Sequence, residues 1–249
     1  MHVFIIVFFL IKKIRILELG SGTGIVGIVL AYISSIRPSD QRRPSCLILT
    51  DGEPTSVELM KQNILHAQNK NPQQHCYASC VDTILFTTCM KWGDTDEQQN
   101  LRFQQECFTQ FPHLFNSLSS TSTDDSKKKD IEFDYILAGD VLYKEELPTL
   151  FFQTVHKYLT RNYYTKMEEE DDEEDENRTT KERRGEGYLL LCHVPRASVT
   201  HDFVLKVAME YGFHVMETID ISSFPFTIPD SCPFEDAQRA CIYKMYLKE

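Results

Sequence analysis

The apolar positions of this chain fall into short compact runs that alternate with longer periodic stretches. Ile14, Ile16, Leu17 and Leu19 predict a strand, and the apolar residues from Ile25 to Ile33 predict a helix over Thr23–Ser34. Cys46–Thr50 (CLILT) reads as a strand buried on both faces. Behind Pro54, a residue tolerated in a first turn, Val57, Leu59, Met60, Ile64 and Leu65 are expected to make the apolar face of a helix that runs to about Asn69. Ile84–Met90, Phe133–Ala138 and Tyr188–Val194 predict further strands. Glu145–Leu159 and Phe203–Tyr211 predict helices, the second stopped by Gly212. Val215–Ile221 and Cys241–Leu247 predict two last strands around a proline-rich loop, Pro225–Pro233. Strand alternating with helix implies an α/β architecture, a parallel sheet with helices on both faces. The last two strands have only a loop between them, so they are expected to be antiparallel neighbours.

Two stretches break this rhythm. Residues 96–130 are polar, with a Ser/Thr-rich part at Ser117–Ser126, and are expected to be a loop insertion holding one short helix near Phe103–Phe111. Residues 165–186 contain the charge run Glu168–Arg184, which has no apolar residue and is expected to be a disordered acidic insertion. Before the first strand, Val3–Ile11 (VFIIVFFLI) is continuously apolar. It is too short to span a bilayer. It also lacks the basic start and small-residue cleavage site of a signal peptide, so it reads as an extended N-terminal piece or the product of a misplaced start.

At 249 residues the chain is most simply one domain, residues 1–249. The net charge of −11, much of it in Glu168–Glu176, argues against binding a nucleic-acid backbone. The eight cysteines are scattered and form no C-x-x-C. Cys76 and Cys80 beside His75 come nearest to a metal cluster, but free buried thiols in a reducing compartment are the better reading, with no metal. The expected location is cytoplasmic, with the nucleus as the alternative.

The chemistry concentrates where predicted strands end. Glu18 is followed by Gly20, Gly22 and Gly24, and a helix comes next. Glycines let the backbone turn sharply and approach a ligand, and the helix start offers N–H groups and a positive dipole end. Gly22, Gly24 and Gly27 also fit G-x-G-x-x-G, so a methyl-donating and a hydride-carrying nucleotide are both compatible with this loop. Glu18 suits a cationic group on the ligand. Asp51, ending the second strand, suits ribose hydroxyls. Trp92, the only tryptophan, suits a purine ring or an ordinary half-buried core site. Asp140 and Tyr143, beyond the fourth strand, suit an ammonium group by charge and cation–π attraction. Asp140 could instead cap the following helix. No Ser–His–Asp or Cys–His arrangement stands out, and His193 reads as a core residue. Methyl transfer from a sulfonium needs positioning more than acid–base machinery.

These residues resemble the seven-strand, S-adenosylmethionine-dependent methyltransferases, and more narrowly the small eukaryotic protein-lysine methyltransferases. The motifs are LELGSGTGIVG (Leu17–Gly27), LTDGEP (Leu49–Pro54) with Gln62 and Asn63, KWGD (Lys91–Asp94) and FDYILAGDVLY (Phe133–Tyr143). The hydride reading does not account for the third and fourth. The resemblance implies a Rossmann-like, seven-stranded, mostly parallel sheet with an antiparallel last strand. It implies S-adenosylmethionine as cofactor, contacted by Glu18, Gly20, Gly22, Gly24, Asp51, Trp92 and Ala138, with Asp140 and Tyr143 lining the acceptor site. The implied activity is methyl transfer to a lysine of a protein, a translation factor among the candidates, by a monomer that needs no membrane. The alternatives are a small-molecule or nucleic-acid methyltransferase, or a non-catalytic partner protein of the same fold. Family members carry several tens of residues before the glycine strand; about a dozen precede it here, so the domain is expected to be short at its N-terminus and its cofactor pocket weakened.

Overall fold

A computed structural model describes residues 14–35, 44–69, 85–93, 97–115, 131–159, 187–220, 223 and 239–248. The apolar N-terminal stretch, His75–Cys80, Ser117–Ser126, the acidic run and Pro225–Pro233 lie outside them.

Seven strands form one sheet: β1 (Ile14–Leu19), β2 (Pro44–Asp51), β3 (Leu85–Cys89), β4 (Tyr135–Gly139), β5 (Tyr188–His193), β6 (Phe213–Asp220) and β7 (Cys241–Leu247). Their order is β3-β2-β1-β4-β5-β7-β6. β1 to β5 pair in parallel, and β7 runs antiparallel between β5 and β6, so the expected mostly parallel sheet with antiparallel last strand is present. The chain winds outward from β1 to β3, then returns to lay β4 on the other side of β1. The switch point of the sheet therefore lies between β1 and β4, the place where such folds open a crevice at the carboxyl ends of their strands.

Among the described residues, six helices connect the strands: α1 (Ile25–Ser35), α2 (Pro54–Asn69), α3 (Glu97–Gln110), α4 (Pro112–Phe115), α5 (Leu147–Tyr158) and α6 (His201–Glu210). Strand alternation sorts the core into two layers. Ile14 and Ile16 of β1 and Leu47 and Leu49 of β2 pack with Leu30, Val57 and Met60 of α1 and α2. Leu17, Leu19, Cys46 and Ile48 face the other way, onto a larger cluster with Phe103, Phe151, Phe152 and Val204 of α3, α5 and α6. Helices thus cover both faces, as expected. None of the described helices is long and apolar enough to cross a membrane.

The expectation for residues 96–130 needs correction in its first half. Glu97–Gln110 is a full helix, longer than the short segment expected near Phe103–Phe111. Phe103, Cys107, Phe111 and Leu114 are buried in the main core. Phe103 and Cys107 are one turn apart on a mostly polar helix, and Phe111 and Leu114 follow just beyond its end, so mean polarity concealed it. At the other end of the segment, β4 starts at Tyr135 rather than Phe133, and Phe133 pairs with Leu159 in an isolated bridge.

Helix α1 packs very close to the sheet. A Cβ at Gly27 would lie 2.2 Å from Leu49 Cδ2 and 2.9 Å from Glu18 Oε2. Leu49 is fully buried and has little room to yield. Gly→Ala in an open helix gains roughly 1 kcal/mol, whereas overpacking a tight core costs about 1–3 kcal/mol. The clash wins here: Gly27→Ala is expected to lower unfolding free energy by about 1–3 kcal/mol in urea titrations. A gain in stability would show that α1 stands off from the sheet.

Candidate functional site

The strand-ending acids and the glycine loop do meet at the carboxyl edge. The loop leaves β1 at Gly20, and its glycines at 20, 22 and 24 all have positive φ (66°, 54° and 75°). Ser21 N–H donates to Thr50 O (2.8 Å), and Gly24 N–H to Ser21 O (2.8 Å). The Thr50 hydroxyl donates to Glu18 O (2.8 Å). From α2, the Asn63 amide donates to Thr23 O (2.9 Å). The loop is therefore pinned from β2 and α2 before any ligand arrives.

Gly20 is where three segments converge. A Cβ there would lie 2.7 Å from Val141 Cγ1 and 3.1 Å from Trp92 Cζ2. A side chain at 20 would push apart the β3 end, the β4 end and the loop. Gly22 differs: nothing lies within 4 Å of its would-be Cβ, so its face is open. Below it, Asp51 accepts from Gly22 N–H (Oδ2, 3.0 Å) and from Glu53 N–H (Oδ1, 3.0 Å). Asp51 thus already braces the glycine loop. Each oxygen keeps a lone pair for another donor.

Glu18 occupies an unusual place. Along β1, Ile14 and Ile16 point toward α1, and Glu18 takes the next position on that face. Only 3% of it is exposed, and its Oε2 has no hydrogen-bond partner. Burial pushes its carboxyl up to about 8, with the Gly27 amide and the Ser21 hydroxyl pulling weakly the other way.

Trp92 is half-buried and meets Phe151 edge to face (centroids 5.3 Å, planes at 70°). It is a wall beside Gly20 that is anchored in the core. Ala138 is buried within β4, opposite Leu191 of β5. Asp94, the last residue of KWGD, is outside the described residues.

Asp140 is the described non-glycine residue with positive φ, 56°. This left-handed conformation is uncommon outside glycine, and such strain concentrates at functional sites. Its N–H donates to Cys192 O (2.8 Å), the last bond from this segment to β5, and its side chain is 42% exposed. Tyr143 is 53% exposed, while Val141 and Leu142 between them are buried. The helix-cap alternative fails, because α5 begins at Leu147 behind Glu146. The segment between Asp140 and the helix is too long for a capping contact.

One partner was not singled out from sequence. Arg196, in the loop after β5, donates through Nη2 to Asp140 Oδ2 (3.0 Å). Its signal was a cation directly after Pro195, at a strand end on the edge that carries the acids. His193 is fully buried, as expected of a core residue; its Nε2 meets Val199 O (3.1 Å), and burial first, then nearby His201, lower its imidazole to about 4. No group of His, Cys, Asp and Glu suited to a metal occurs among the described residues. Cys46 and Cys107 are buried thiols, but Cys89 is exposed, against the expectation of burial.

Residues 10–102 match the family model described as lysine methyltransferase. That stretch holds Glu18, the glycine loop, Asp51 and Trp92. The search of curated proteins finds no match. Among solved structures, the chain is similar to a protein described as a methyltransferase in complex with the Haloferax volcanii Trm112 methyltransferase activator. Identity is 10%, the TM-score is 0.53, and the match covers 100% of this chain and 89% of that one. This likeness, with the strand order, shows a Rossmann-like methyltransferase fold. Two others have lower TM-scores, and no argument rests on them. One is a TehB-like methyltransferase from Corynebacterium glutamicum (TM-score 0.48, 13% identity, 96% of this chain, 82% of that one). The other is the magnesium protoporphyrin IX methyltransferase of Synechocystis with bound SAM (0.47, 12%, 95% and 71%).

The buried Glu18 carboxyl gives a pH signature. Its carboxyl ionises from the ordinary 4.5 when unfolded, but only near 8 when folded. Between those values the unfolded chain holds fewer protons, so the Glu18 contribution to stability falls as pH rises and is level above about 8. His193 acts oppositely below its ordinary 6.5. The difference between wild type and Glu18→Gln cancels that. Urea unfolding at pH 5, 6.5 and 8 should show the variant gaining on wild type at each step; parallel curves would mean that Glu18 is solvated.

Proposed function

We propose that this protein transfers a methyl group from S-adenosylmethionine to a lysine side chain of another protein. The observation that carries the reading is Asp140, held outward in a strained conformation beside the exposed Tyr143, one residue from the Val141 that packs on Gly20. An acceptor there sits next to the glycine loop.

The residues fit the cofactor on their own geometry. Glu18 Oε2 is a buried acceptor without a donor, suited to the amino-acid part of a cationic ligand. Gly22 leaves an open cradle above Asp51, whose remaining lone pairs suit ribose hydroxyls. Trp92 supports a ring against its exposed side. When bound, S-adenosylmethionine supplies an electrophilic methyl group. The protein's share is then orientation and exclusion of water. Asp140 accepts a hydrogen bond from the lysine nitrogen, and Tyr143 offers a ring face to its alkyl chain and charge. The nitrogen must arrive neutral, with its lone pair free. The match of residues 10–102 to the lysine methyltransferase family supports a protein lysine as acceptor, as does the acidic charge, which disfavours nucleic acid. We extend the reading to a translation factor or another cytosolic protein as substrate, and to a cytoplasmic or nuclear monomer.

The test separates acceptor from cofactor roles. Asp140→Asn keeps a residue that tolerates the left-handed conformation while removing the charge. With tritiated cofactor and a cell extract, it should lower transfer by about two orders of magnitude and change cofactor affinity, measured by calorimetry, less than about threefold (under 1 kcal/mol). Equal losses of transfer and affinity would make Asp140 a cofactor or structural residue.

A further inference from the structure

Asp140 does not stand alone at the acceptor edge. Arg196 engages only one of its oxygens, Oδ2, at 3.0 Å, and Oδ1 has no partner among the described residues. The guanidinium is itself held. Its Nη1 donates to Val194 O (2.9 Å), and the Arg196 N–H donates to Val199 O (3.0 Å). Val199 is fully buried, and the buried His193 ring meets the same carbonyl. The loop 194–199 is thus clamped onto the end of β5 and delivers a cation to one side of Asp140. The two side chains are 39% and 42% exposed, so the contact's stability value is small, well under the ~1 kcal/mol ceiling of surface pairs. Stability is a poor reason for so many constraints on one guanidinium.

We propose that Arg196 is a positioning residue for the acceptor site: it fixes the Asp140 carboxylate by Oδ2 and leaves Oδ1 for the incoming amine. This rests on the methyl-transfer reading above. Arg196 also cancels the Asp140 charge. A bare carboxylate would hold a lysine as ammonium, which has no lone pair to attack a methyl group. A carboxylate already paired with a fixed guanidinium holds the ammonium less strongly and accepts the neutral amine as a hydrogen-bond donor. The pair therefore lowers the pH at which a bound lysine becomes reactive.

The charged and titratable groups around Asp140 leave this readable. Tyr143 and Lys144 lie on its own segment, Cys192 and His193 on β5, Arg196 on the loop, and His201 on α6 behind His193. Burial moves the Cys192 thiol up to about 11 and the His193 imidazole down to about 4. Both stay neutral from pH 6.5 to 9.5.

The experiment measures initial transfer rates from tritiated S-adenosylmethionine into a cell extract between pH 6.5 and 9.5. It compares the full-length wild type, Arg196→Ala and Arg196→Lys, with cofactor affinity by calorimetry. Arg196→Ala should lose about tenfold or more in rate near neutral pH with affinity unchanged, and its profile should move to higher pH by roughly one unit. Arg196→Lys should restore the profile, because the charge returns, and only part of the rate, because two donors in a fixed fork do not. Rates unchanged in Arg196→Ala, a loss with an unshifted profile, or a loss shared equally with cofactor affinity would each overturn the proposal. A silent wild type would overturn the methyl-transfer reading and this proposal with it. Active wild type with equally active variants would overturn this proposal alone.

Discussion

A carboxyl group stands on β1 where the strand pattern calls for hydrocarbon. Ile14 and Ile16 point toward α1, and Glu18 follows them on the same face. Burying a polar group without a partner costs free energy, of the order of 1–3 kcal/mol from mutational data. The structure keeps the burial tight. Gly27, with no Cβ, lets α1 close over the carboxyl. The rest of the carboxyl edge depends on this closure. Where α1 begins fixes the glycine loop, and the loop fixes how near Trp92 and Val141 come to Gly20. A group that supplied a donor or a cation to Glu18 would remove the penalty, which is why an orphaned oxygen there points to a ligand.

The two outer acids divide the remaining work by backbone geometry. Asp51 faces inward on the β2 side and spends one lone pair of each oxygen on backbone amides, so it both braces the loop and stays able to accept. Asp140, on the β4 side, is turned outward by a left-handed backbone and stapled to Cys192 O. The switch in strand order puts β1 between them. A ligand lying across the end of β1 meets the inward acid on one side and the outward acid on the other. This placement makes one edge suitable for holding a nucleotide and presenting its reactive end to a second substrate.

Much of this was legible in sequence, and the failures have physical causes. Strands such as CLILT are short and apolar, and only a doubly covered parallel sheet gives them that composition. Glu18, Asp51 and Asp140 were visible because each ends such a run. Helix α3 was concealed: its buried residues are Phe103 and Cys107 alone, on a helix whose other positions are mostly polar. The cap alternative for Asp140 needed the start of α5, and helix starts are poorly fixed by periodicity alone. Arg196 was out of reach for another reason. Nothing in the run HVPR says that the loop folds back on Val199, a contact that depends on His193 being buried behind it.

The central claim is that the crevice around Glu18 and Gly22 takes a cationic nucleotide. Calorimetric titration of the full-length protein with S-adenosylmethionine at pH 7, repeated in two buffers of different ionisation enthalpy, addresses it directly. Glu18 is mostly protonated at that pH and should ionise when a cationic partner arrives. One-to-one binding with release of a proton, up to about one per site, is expected, and Glu18→Gln should lose that release. Absence of binding, or binding with no proton released, would contradict it.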